Sequence, residues 1–198
     1  MSEQIIDGTG TGSKAKVDSA NRLHTHSVNE DLIEYAASQG DSYNINTGTI
    51  NLTSATESAL LYFKNNGDND LHIASVGYLI GNSTGGTGDL LTTVTKNPTT
   101  GTIISGASDV GINTNKNAGS SKIMVVDAFK GAEGNTFTNG SDFYYSLLSG
   151  AAKSYVIATG TVVLPKGSSI GVSVTPQTSN TSMNIQIFMS VSEYKLDL

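Results

Sequence analysis

From about residue 40 onward, apolar side chains recur at every second position in short runs, and Gly, Ser, Thr and Asn separate the runs. That period of two marks strands that bury one face and wet the other. The final third is the most regular. Ile170, Val172 and Val174 share one face, and beyond a turn over 177–182 Met183, Ile185, Ile187, Met189 and Val191 alternate without a break. Earlier strands are predicted over 43–46, 49–52, 59–64, 71–80, 90–96, 122–129 and 155–164. Asn65 to Asp70 is a strong turn signal, and Asn97 to Gly101 turns the chain into Thr102-Ile103-Ile104. The inward parity changes between Ile73 and Val76, which predicts a β-bulge. Segments 82–88, 105–121 and 131–141 read as loops, and 143–148 fits either a strand or a helical turn.

The first forty residues differ. Gly8, Gly10 and Gly12 alternate with small polar residues, a pattern that resists helix and cannot pack a core. Lys14–Asp18 and Arg22–Val28 each alternate around a turn-like Asp18-Ser19-Ala20-Asn21, so they predict a small hairpin or two extended segments on a neighbour's surface. A helix is predicted over 28–39. Ser27 and Glu30 form a capping box, Val28, Leu32, Tyr35 and Ala36 share a face, and Gly40 supplies the stop. The expected fold is mainly β: an antiparallel, jelly-roll-like β-sandwich over 41–198, preceded over 1–40 by an extended N-terminal arm and one short helix.

Composition narrows the function. Charged residues make up 14% of the chain, against about 25% in ordinary globular proteins. Hydroxyls and amides therefore form the polar surface, which suits packing against other neutral surfaces. The net charge is -6 and the basic residues are scattered apart from Lys14, Lys16 and Arg22. Nucleic-acid binding needs a concentrated basic stripe, so no nucleic-acid partner is expected. The longest apolar run falls well short of the roughly 20 residues of a membrane span, so no membrane partner is expected either. Met1-Ser2-Glu3-Gln4 does not open a secretory signal, and the lack of Cys fits synthesis in a reducing cytoplasm.

The residues that do chemistry are scarce: no Cys, one Arg and three His. Gly12-Ser13-Lys14 has the wrong order for a phosphate-cradling loop. His24 and His26 lie on one strand face, but one pair per chain leaves a metal site incomplete without symmetry mates. Asp68 and Asp70 have calcium-like spacing but lack the further oxygen ligands that calcium requires. His72 falls between Leu71 and Ile73 at an outward position, with no identified nucleophile or orienting acid. No enzyme activity, cofactor or metal is expected.

One phrase carries a resemblance. Ala15-Lys16-Val17-Asp18-Ser19-Ala20-Asn21-Arg22-Leu23, after a Gly-rich start, resembles the opening of a class of virion structural proteins of tailed bacteriophages, in which a "Val-Asp-x-x-Asn-Arg-Leu" segment leads into a β-rich body. The phrases Tyr78 to Gly86 and Val163 to Val172 are similar to the same kind of body. The resemblance implies a capsid decoration or head-neck component, made in the host cytoplasm and carried in the virion. Its implied partners are phage capsid or neck proteins and further copies of itself, with a trimer favoured. The class has no defined catalytic or binding motif to carry over. The assembly residues expected on the arm and helix are Lys14, Lys16, Val17, Arg22, Leu23, Val28, Leu32 and Tyr35. The alternative is a trimeric tail-fibre, receptor-binding or carbohydrate-binding module, using outer-loop aromatics around Phe137 and Phe143-Tyr144-Tyr145.

Overall fold

A computed structural model describes residues 16–17, 23–24, 32–84, 88–106, 108–109, 113–149, 153–157, 162–178 and 182–193. The chain divides into two compact units, Met1–Asp31 and Leu32–Leu198. In the first, β1 (Lys16–Val17) pairs antiparallel with β2 (Leu23–His24), Lys16 opposite His24 and Val17 opposite Leu23. This is the hairpin alternative.

The second unit starts with α1 (Leu32–Gln39), followed by β3 (Ser42–Asn46), β4 (Ile50–Leu52), β5 (Ser58–Asn65), β6 (Leu71–Thr84) and β7 (Leu90–Lys96). Then come α2 (Thr102–Ser105), β8 (Asn113–Asn115), β9 (Val126–Lys130), β10 (Ser141–Leu148) and β11 (Lys153–Ile157). The chain closes with β12 (Val162–Leu164), β13 (Ser169–Pro176) and β14 (Ser182–Glu193).

Within this unit all pairings are antiparallel and make two sheets. One runs β10-β7-β13-β5-β9, the other β11-β6-β14-β3-β8, with β12 also on β6 and β4 also on β14. Taking β3/β4 and β11/β12 as two interrupted strands leaves the eight-strand order of a jelly roll, with β8 and β9 as additions on one side. Ile170, Val172, Val174, Met183, Ile185, Ile187, Met189 and Val191 are all buried, as their alternation predicts. They meet Leu60, Leu61 and Phe63 of β5 and Tyr43 and Ile45 of β3 in one core. The bulge in β6 is where the parity change puts it: Ser190 faces Ser75 and Val191 faces Ile73, so Ala74 is the extra residue.

Thr102-Ile103-Ile104 lie in a helix, because Gly101 at φ 140 redirects the backbone and Ile103 drops into a second apolar cluster. Four predictions of local structure need correction. The loop expected over 105–121 contains β8 (Asn113–Asn115), whose backbone pairs with β3. The strand expected over 122–129 runs over Val126–Lys130, since Ile123 and Val125 flank the buried Met124 without pairing to a strand. β6 continues to Thr84, past the loop start expected at 82, because it stays paired to β14. The strand predicted over 155–164 is split, β11 and β12 pairing with different parts of β6.

The second cluster lies on the side of β5 turned away from the main core. Tyr62 stacks on Phe129, with centroids 5.8 Å apart, and Phe137 tilts against it at 6.5 Å. Phe137 also lies over Gly171, where a Cβ would come within 2.5 Å of its ring, so any side chain there would have to displace the ring from Tyr62. In the main core the Tyr78 hydroxyl is buried without a hydrogen-bond partner. The Thr92 hydroxyl donates instead to the Ser146 carbonyl at 3.2 Å. Burial holds Tyr78 above the usual phenol range, and an orphaned hydroxyl of this kind costs about 1–3 kcal/mol.

Candidate assembly surfaces

Of the eight residues expected to assemble the protein, Lys14, Arg22 and Val28 lie outside the described residues. Lys16, Val17 and Leu23 are, with His24, the paired residues of the β1–β2 ladder, so both described residues of the Val-Asp-x-x-Asn-Arg-Leu phrase lie on one hairpin. Leu32 opens α1, and Tyr35 is about half exposed.

The helix is tied to the sandwich by polar contacts that its own sequence does not announce. Ala36 is buried. Gly40, at φ 76, donates its N–H to the Ala37 carbonyl at 3.1 Å, and Asp41 donates to the Ala36 carbonyl at 2.7 Å. That pair of bonds is a Schellman cap. The last helical carbonyls find side-chain donors: Asn117 Nδ2 reaches the Ser38 carbonyl and Asn115 Nδ2 the Gly40 carbonyl, at 2.8 and 2.7 Å. Lys122 pairs with Asp41 at 2.8 Å. Ile33 and Tyr35 are exposed, but at a spacing of two they lie on different sides of the helix and form no common apolar face.

Among the described residues, the largest run of exposed apolar side chains on one strand is on β10. Phe143, Tyr145 and Leu147 are 41%, 59% and 62% exposed. β10 ends its sheet and, among the described residues, pairs only with β7. Phe143 is the extra residue of a bulge between Asp142 and Tyr144. Past it the strand is regular: Tyr144 and Leu148 turn inward to the core, Tyr145 and Leu147 outward. The single carboxylate, Asp142, accepts hydrogen bonds from Thr95 Oγ1 at 2.5 Å and from the Tyr145 hydroxyl at 2.9 Å. The bond to Asp142 holds Tyr145 above the usual phenol range.

The aromatics proposed for ligand contact separate on inspection. Phe143 and Tyr145 are exposed on a strand, whereas Phe137 is packed on Tyr62 and Tyr144 on the core. Leu147 completes the β10 stripe, and only the choice of strand over helical turn for 143–148 would have revealed it from sequence. Ile123 and Val125 are also exposed, either side of Met124.

The chemistry-bearing residues are dispersed. Among the described residues no group of three or more His, Asp or Glu is placed to hold a metal ion. Asp68 is bound to Lys166 at 2.5 Å, and the lysine's hydrogen bond and charge hold its carboxyl below the usual carboxylate range. His72 lies on β6 between Val163 of β12 and Ser192 of β14. His24 is in β2, and His26 is outside the described residues. Glu133 serves as a staple. Burial pushes its carboxyl up, but hydrogen bonds from Thr53 and Ser54 outweigh that and leave it below the usual range. Those bonds fasten the β4–β5 connection to the loop before β10. A cleft of about 260 Å³ beside the 65–69 turn is lined by amide side chains, Asp68, Met124 and Glu193. Asn69 Nδ2 donates to Glu193 within it, so its polar groups are engaged with each other.

Compared with known proteins, the chain matches no family model and no curated protein.

Proposed function

We propose that this protein is a non-enzymatic structural component of a tailed-bacteriophage virion, a capsid decoration or head-neck protein that binds the particle through its N-terminal arm. The observation that carries the reading is the division of the chain. A leading unit of residues 1–31 holds the Gly-rich run and the Val-Asp-x-x-Asn-Arg-Leu phrase, and a jelly roll follows it. An arm that orders on binding can cover a wide area of a lattice and loses its conformational freedom only at that step. The low charge of the body and the dispersal of its His, Asp and Glu side chains support a role in packing rather than turnover. Under this reading Lys14, Lys16, Val17, Arg22 and Leu23 grip the particle, with further copies of the chain and capsid or neck proteins as partners.

A second reading, a receptor-binding or carbohydrate-binding tail module, is favoured by the exposed Phe143 and Tyr145 rings, since sugar faces stack on such rings.

Removing residues 1–31 tests the leading reading. The cut belongs there and not after Gly40, because Ala36 and the Asn115 and Asn117 bonds make α1 part of the folded body. The expected outcome is a truncated protein with an unchanged strand signal in circular dichroism and no incorporation into particles. Normal incorporation would refute the arm's role. Binding of the full chain to host glycans but not to undecorated capsids would favour the second reading.

A further inference from the structure

Among the described residues, every sheet edge but one is short, charged or bridged from outside, which discourages strand addition. β4, β8 and β12 have three residues each. β9 is covered from outside, where Lys130 donates to the Ser108 carbonyl and Asp109 bridges to Phe129. β11 is five residues long and starts with Lys153. β10 is eight residues long, with no Lys, Arg or Pro, and its one carboxylate is bonded within the subunit.

We propose that β10 is a self-association edge, on which the Tyr144–Leu148 stretches of two copies pair antiparallel about a two-fold axis at Ser146. The two five-stranded sheets then run on as one. The occupant is a second copy because an antiparallel edge is complementary to itself. In this register Tyr145 faces the partner subunit's Leu147 and Leu147 faces the partner subunit's Tyr145. Both exposed apolar side chains are thereby covered by an aromatic–aliphatic cross-strand pair. Charge allows it as well: each Asp142 lies four residues from the axis, so the two carboxylates are about 26 Å apart along the strands, well beyond the screening length of about 8 Å in physiological salt. The bulge at Phe143 ends the pairing on one side and keeps the contact to two copies rather than an open ribbon. A two-fold contact here does not build the threefold ring expected from the sequence, which would have to use another surface. The inference holds whether or not the arm binds a particle.

Sedimentation of the full chain tests it. Wild type should sediment at twice the 20.5 kDa chain mass. Leu147→Glu sets a carboxylate against the partner subunit's Tyr145 ring, whose hydroxyl is already bonded to Asp142, on both sides of the axis, and should weaken self-association about tenfold or more. The chain has no Cys, so Ser146→Cys, under mild oxidation, should give one disulfide-linked dimer. A monomeric wild type overturns the proposal, as does a dimer or trimer that Leu147→Glu leaves intact. If Leu147→Glu fails to fold, Ser146→Cys decides: a dimer band supports the edge pairing and its absence refutes it.

Discussion

Ile187→Ala should lower folding stability by about 4 kcal/mol, within the range found for emptying a packed core position. Ile187 is fully buried on β14, between β6 and β3, and faces Tyr78 across the ladder. Its backbone is clamped as well: its N–H donates to Thr47 Oγ1 at 3.0 Å, and its carbonyl accepts from the Thr47 N–H at 2.9 Å. A clamped strand cannot collapse into the space left by the lost carbons, so most of the cavity cost remains. For a domain of this size the loss lowers the melting temperature by about 8–16 °C. The neighbouring Asn184 is exposed on the other face of the same strand, and Asn184→Ala should change stability by less than about 0.5 kcal/mol. Thermal melts of the two variants compare the faces directly. Equal shifts would mean that the alternation along β14 does not separate core from solvent.

Asn65→Leu should cost about 3 kcal/mol or more, although it adds apolar volume at a fully buried position. The side-chain amide makes three hydrogen bonds. Its Nδ2 donates to the Asn69 and Leu164 carbonyls at 2.8 Å each, and its Oδ1 accepts from the Gly67 N–H at 2.9 Å. The residue's own carbonyl accepts from the Gly167 N–H at 2.8 Å, so two turns are held at one point. Leucine fills the space but strands two carbonyls and one N–H, and each stranded group carries its desolvation cost. The adjacent Asn66 is exposed, and Asn66→Leu should be close to neutral. Denaturant melts, with hydrogen exchange at Gly67 and Gly167, distinguish the two. If Asn65→Leu proved as mild as Asn66→Leu, the turn would not depend on the amide.

That pair of asparagines shows where sequence reading succeeds and stops. Asn65-Asn66-Gly67 announces a turn by composition, and the turn is there, but nothing in the string says which amide is the buried junction. That depends on Leu164, 99 positions away. The same holds for Asn115 and Asn117, which cap α1 from a segment that reads as a polar loop. Alternation worked where one side of a strand is buried and the other wet, as along Met183 to Val191, and it located the Ala74 bulge. It failed where apolar residues leave the ladder, at Ile123 and Val125 beside β9. Phe137 reads as an outer-loop aromatic because the vacancy above Gly171 that it fills exists only after β13 and the loop have packed. Self-association edges are harder still, because Tyr145 and Leu147 sit in a strand pattern like any other until the topology leaves β10 at the end of its sheet.

The proposed virion role requires that a phage encode the chain, and locating tagged copies on that phage's intact particles by electron microscopy tests the role most directly. Regularly repeated label on the head or neck is expected. Complete particles that carry no copy of the chain would contradict it.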